Sequence, residues 1–162
     1  MNKLKLALLT FVLFLFAGSG SYVQAQCSDE HKALLAKLDQ SMESKDPEFL
    51  REIYHADAKR HTAEGTLEGV EKMIEQAKEF YADIPDASGV NDDVICSGDK
   101  IVMRWTGTGT PKGAPNKISV SGITIVQFKD GKITEEWEAM DYLSLMMQMG
   151  YTMTSPEGMD GN

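Results

Sequence analysis

Carboxylates crowd around a tryptophan in the segment Ile133 to Asp141, where alternate residues of a strand share a face. Ile133, Glu135, Trp137, Ala139 and Asp141 fall on one side, provided no bulge intervenes. Trp137 is too large to leave in water without reason, so this face is expected to look inward. Asp141 would then sit at the inner end of the strand, beside a methionine-rich segment. Desolvation favours the protonated form of a carboxylate and moves its pKa toward neutrality, where it can both take and return a proton. The same residue also fits the N-cap of a helix starting at Tyr142, and one side chain can serve both ends.

Other groups carry weaker signals. His55, Asp57, His61 and Glu64 span a helix end and the following strand, with a spacing that matches no standard metal motif. Met140, Met146, Met147, Met149 and Met153 are copper-type ligands in principle, but flexible core filling under a helix is the commoner use. Arg104 could hold an anionic substrate group or pair with Glu136 or Glu138 across the sheet, and the pair is expected. Gly107, Gly109 and Gly113 do not form a phosphate loop, because no helix and no GK[ST] follow. No metal and no cofactor is expected.

The elements that would position these residues come in two blocks. Leu34, Leu35, Leu38 and Met42 line one side of a helix from Ser28 to about Ser44. Asp46-Pro47 opens a second, with Phe49, Leu50, Ile53 and Tyr54 as its stripe. A third runs from about Glu68 to Ala82, with Phe80 in its buried set. Period two then takes over: strands at Asp92–Ser97, Ile101–Gly107, Lys117–Phe128 and Lys132–Met140, with Asp130-Gly131 as a hairpin turn. A short helix over Tyr142–Gly150 closes the domain, and a loose tail is expected over 152–162. Helices followed by an antiparallel meander predict an α+β fold, with a bent sheet, helices against its concave face and a pocket between them. Trp105, Tyr54, Phe80 and Trp137 are expected to line that pocket.

Residues 1–25 stand apart. Lys3 and Lys5, the apolar run Leu6–Ala17 and the small residues ending at Ala25 make the three-part pattern of a cleavable export signal. The run is shorter than the roughly 20 residues that span a bilayer. Lipidation of Cys27 is disfavoured by Gln26 before it, where a small residue is wanted. The domain proper is expected over 26–151, in the periplasm or outside the cell. The chain has 25 acidic and 16 basic residues; without Lys3 and Lys5 the bases fall to 14 and the balance from −9 to −11. Such a charge repels nucleic acid and anionic membranes. An oxidising compartment permits Cys27 to pair with Cys96, and a buried Cys96 with Cys27 free stays equally open.

Arg104-Trp105, Gly107-Thr108, Lys117 to Gly122, Asp130-Gly131-Lys132-Ile133, Glu136-Trp137, Asp141, Leu145, Gln148 and Gly150 together resemble the SnoaL-like polyketide cyclases and ester cyclases, within the nuclear-transport-factor-two-like superfamily. The likeness extends from about Glu30 to Tyr151 and is most specific in DGKITEEWEAMDYLSLMMQMG. It implies a cone-like α+β barrel and a metal-free intramolecular aldol ring closure. Asp141 would be the general acid/base, His61 the early pocket histidine and Trp137 a wall of the cavity. It also implies a homodimer through the outer sheet face, where Ser119, Ser121, Ile123 and Ile125 would lie. Family members often have Gly-Thr-His where this chain has Gly107-Thr108-Gly109. Two functions are therefore carried forward: a cofactor-independent lyase or isomerase, and an exported module that binds an apolar small molecule without chemistry.

Overall fold

The computed structural model describes residues 27–154. The expected export signal and the end of the expected tail lie outside the described residues. Helix α1 (Asp29–Ser44) starts at a reciprocal cap: Ser28 accepts from the His31 amide, and the His31 ring accepts from the Ser28 amide. The second helical stretch is a single 3₁₀ turn (Pro47–Phe49) running into one α-turn, α2 (Leu50–Ile53), capped by Asp46. Tyr54, expected in that helix, instead begins β1 (Tyr54–Thr62), which forms a hairpin with β2 (Gly65–Glu68). Helix α3 (Val70–Asp83), β3 (Ser88–Ser97), β4 (Lys100–Gly109), β5 (Ile118–Lys129), β6 (Lys132–Met140) and α4 (Tyr142–Gln148) follow.

The six strands form one sheet in the order β2-β1-β6-β5-β4-β3. Among the described residues it does not close: β2 and β3 are its two edges. Every pairing is antiparallel except β1 with β6, which is parallel. The purely antiparallel expectation is corrected on this point, because β1 arrives from the helical block rather than through the meander. The core fills one end of the sheet's inner face. There Leu34, Ile53, Met73, Ile74, Ile101, Val126, Phe128 and Ile133 are nearly water-free, with α1, α2 and α3 contributing to the same cluster as the strands. β5 alternates as its sequence dictates, with Ile118, Gly122, Thr124, Val126 and Phe128 buried and Ser119, Ser121 and Ile123 exposed.

The sulfurs of Cys27 and Cys96 stand at disulfide-bonding distance. A bridge closing a chain segment of 69 residues restricts the unfolded state by about 4 kcal/mol on the loop-entropy account.

Candidate functional site

At the other end of the inner face the residues become small. Gly107, Gly109 and Gly122 replace the large aliphatics found at the core end. Gly122 is required by close approach: a Cβ there would enter the Trp105 ring and stand 2.9 Å from the Ala139 carbonyl oxygen. The indole occupies the vacated position, and its Nε1 donates to Thr124 Oγ1 at 2.9 Å. The result is a cavity of about 490 Å³ between α1, α3 and the sheet. Met42, Phe80, Met103, Trp105, Val120 and Met140 supply apolar wall.

Four polar side chains meet at the cavity wall: Tyr54, Arg60, Glu136 and Glu138. The parallel register of β1 and β6 sets Arg60 directly beside Glu136. Arg60 Nη2 donates to Glu138 Oε2 at 2.9 Å, and Nη1 reaches Gln76 Oε1 at 3.4 Å. Arg60 Nε lies 3.2 Å from Glu136 Oε1, an ion pair whose direction is too poor for a hydrogen bond, so this buried N–H has no aligned acceptor. Tyr54 donates its hydroxyl proton to Glu136 Oε2.

Burial pushes the Glu136 carboxyl above the usual carboxylate range; Arg60 and the Tyr54 hydroxyl pull the other way without cancelling it. Burial works against the charge of Arg60, but Glu136, Tyr54 and Glu138 outweigh it and hold the guanidinium protonated. The Tyr54 phenol is pushed well up, first by burial and then by the Glu136 charge. An acid of raised pKa and a fixed cation with one unaligned N–H thus stand together on the wall of one largely apolar cavity. That set can exchange a proton with a ligand and steady charge on a neighbouring oxygen.

The sequence-derived candidates divide. Tyr54, Trp105 and Phe80 line the cavity. Trp137 does not, because a bulge enters β6: Phe128 pairs with Ile133 and Gln127 with Glu135, leaving Thr134 as an extra residue. The Thr134 hydroxyl donates to the Gln127 carbonyl at 3.2 Å at this point. Past the bulge the alternation is reversed, so Glu136, Glu138 and Met140 look inward and Glu135, Trp137 and Ala139 outward. His61, beside Trp137 in the register, is likewise on the outer face. Its ring is hydrogen-bonded to Glu135 Oε1 and Thr66 Oγ1, each at 2.9 Å, and stacks on Trp137 at 5.7 Å. Asp141 is exposed and caps α4, accepting from the Ser144 amide at 2.9 Å; it lies outside the cavity lining, between the lining residues Met140 and Tyr142. Arg104 pairs with Asp92 and Asp93 on β3, not with Glu136 or Glu138, because it too points outward.

Arg60, Glu136 and Glu138 were missed as site residues. Consecutive glutamates in a strand put one carboxylate on each face whatever the phase, so Glu135-Glu136 guarantees one inward acid. A buried carboxylate wants a cation, and Arg60 is the basic residue nearest Tyr54 that shares its inner face.

A family model of SnoaL-like polyketide cyclases matches residues 32–149. Among solved structures, TsrD from Streptomyces laurentii is 25% identical, with a TM-score of 0.69 over 77% of this chain and 98% of its own. A candidate polyketide cyclase from Bacillus cereus is 28% identical, with a TM-score of 0.64 over 78% and 86%. A protein of ketosteroid isomerase-like fold from Catenulispora acidiphila is 21% identical, with a TM-score of 0.67 over 74% and 93%, and speaks for the fold. No curated protein matches the chain in sequence.

Proposed function

Since the chain belongs to the SnoaL-like polyketide cyclase family, we propose that it is an exported, cofactor-independent enzyme of the cyclase or isomerase type. Its cavity would hold an apolar molecule bearing a carbonyl group. The observation that carries this reading is Glu136: a carboxyl 4% exposed, of raised pKa, on the wall of an otherwise largely apolar cavity. Glu136 takes the proton from the carbon next to the carbonyl. The unsatisfied Arg60 Nε–H donates to the carbonyl oxygen as negative charge develops there. The proton then returns to carbon in an isomerase, or to the new alkoxide when the enolate has closed a ring.

Asp141 remains the second reading, supported by the lining residues Met140 and Tyr142 on either side of it. To act, it must release the Ser144 amide and turn inward. The two carboxylates are separated by deuterium exchange at the α-carbons of 2-tetralone, followed by proton NMR. Glu136→Gln is expected to slow exchange at least about 100-fold, with Asp141→Asn near wild type. The reverse pattern would hand the role to Asp141. A ketone that binds but exchanges no faster than in buffer would leave a binding module.

Export is supported by the Lys3–Ala25 pattern and by the Cys27–Cys96 pair. A second copy on the outer sheet face is supported by Ile95 and Ile123, which are half exposed there. Native mass spectrometry of protein from its own host reads both: a mass beginning after Ala25 and a doubled assembly mass are expected. An uncleaved monomer would remove both.

A further inference from the structure

We infer that the cavity selects apolar molecules carrying a positive charge, above all a protonated amine, and rejects carboxylates. The inference rests on the reading of the cavity as a ligand site and adds the ligand's charge class to it. Four acids line the cavity: Glu136, Glu138, and Asp39 and Glu64 at its exposed rim. Arg60 is the one cation among the described lining residues, and no lysine joins it.

The guanidinium is already committed, to Glu138, to Gln76 and to the ion pair with Glu136. Two ionised carboxylates on one guanidinium leave one negative charge in excess, which a proton on Glu136 would cancel. Asp39 and Glu64 have no basic partner within 4 Å among the described residues, so the rim adds to the excess. Low-dielectric walls concentrate the resulting field instead of dispersing it. Tyr54, Phe80, Trp105 and Tyr142 also line the cavity, and an aromatic ring attracts a cation that reaches its face. A ligand carboxylate would meet the two rim acids and the inner excess, and no uncommitted cation. A neutral carbonyl oxygen, by contrast, needs only the Arg60 Nε–H. The ligand class is therefore a hydrophobic amine whose carbonyl, where one is present, turns its oxygen to Arg60 and its α-carbon to Glu136.

Three probes of one shape test this: 2-aminotetralin, 2-tetralone and tetralin-2-carboxylic acid, titrated calorimetrically into the full mature chain at low ionic strength. The amine is expected to bind at least about tenfold tighter than the acid. That ratio should shrink severalfold in Glu138→Gln. It should shrink as well in Asp39→Asn/Glu64→Gln, whose exposed rim positions leave folding intact if Glu138→Gln does not fold. Equal affinities, or a tighter acid, with 2-tetralone still bound, overturn the charge selection and leave the cavity as a ligand site. A preference untouched by the rim variant also overturns it. Failure of all three probes to bind removes the ligand site and the charge selection together.

Discussion

Two polar clusters stand back to back on the same pair of strands, one residue out of phase. Inside the sheet, Arg60 of β1 meets Glu136 and Glu138 of β6; outside it, His61 meets Glu135 and Trp137. Each sets a basic group against carboxylate, with an aromatic ring beside it. Their surroundings differ: Glu136 is 4% exposed, whereas the side chain of Glu135 is 37% exposed and that of His61 31%. Water solvates the outer pair and screens it, so its bond is worth little. Burial deprives the inner pair of that solvation and pushes the Glu136 carboxyl up. The lesson is that proton affinity on this sheet is set by the phase of one strand, and that phase is set by a single bulge at Thr134.

The contrast can be broken first by removing the inner cation. Arg60→Leu leaves Glu136 buried without its partner, and chemical denaturation is expected to show a loss of about 3 kcal/mol, the lower end for such pairs because Glu136 can take up a proton. A loss below about 1 kcal/mol would mean that the inner cluster is solvated after all. On the outer face, His61→Ala is expected to cost less than about 1 kcal/mol and to leave ligand affinity unchanged. A larger loss would place the outer cluster among the groups that hold the sheet together.

The smallest effect is a slope. The folded Glu136 binds its proton more tightly than the unfolded chain does. Its contribution is thus fully present below the ordinary carboxylate pKa and is lost as pH rises from there through its raised folded value. Stability measured across that window should fall less steeply with rising pH in Glu136→Gln than in the parent. Parallel curves would return Glu136 to an ordinary carboxylate.

Much of the fold was legible. The α1 stripe, the third helix, the β5 alternation and the turn at Asp130-Gly131 follow from local periodicity and turn chemistry, and the structure has them. The cap at Asp141 was readable from the helix that follows it. The bulge was not, because Thr134 differs in no local propensity from a regular strand residue; what makes the bulge is pairing with a partner strand. Nor was the parallel seating of β1 on β6, which joins segments some 76 positions apart, as in His61 beside Trp137. Both losses fall on the same residues. An inward phase was assigned to Trp137 and Asp141, and the residues that look inward are Glu136 and Glu138.

The Cys27–Cys96 link also fixes how the molecule can be presented. Cys96 lies one residue before the end of β3, next to the Gly98-Asp99 turn, whereas the cavity takes its lining from Ser88 to Asn91 at that strand's beginning. Eight residues of extended chain, about 26 Å, separate Cys96 from Ser88. Whatever is joined to the chain ahead of Cys27 therefore departs from the opposite end of the strand. A bead or a surface attached there would hold the domain, like a lamp on a post, by the end of β3 opposite the one that lines the cavity.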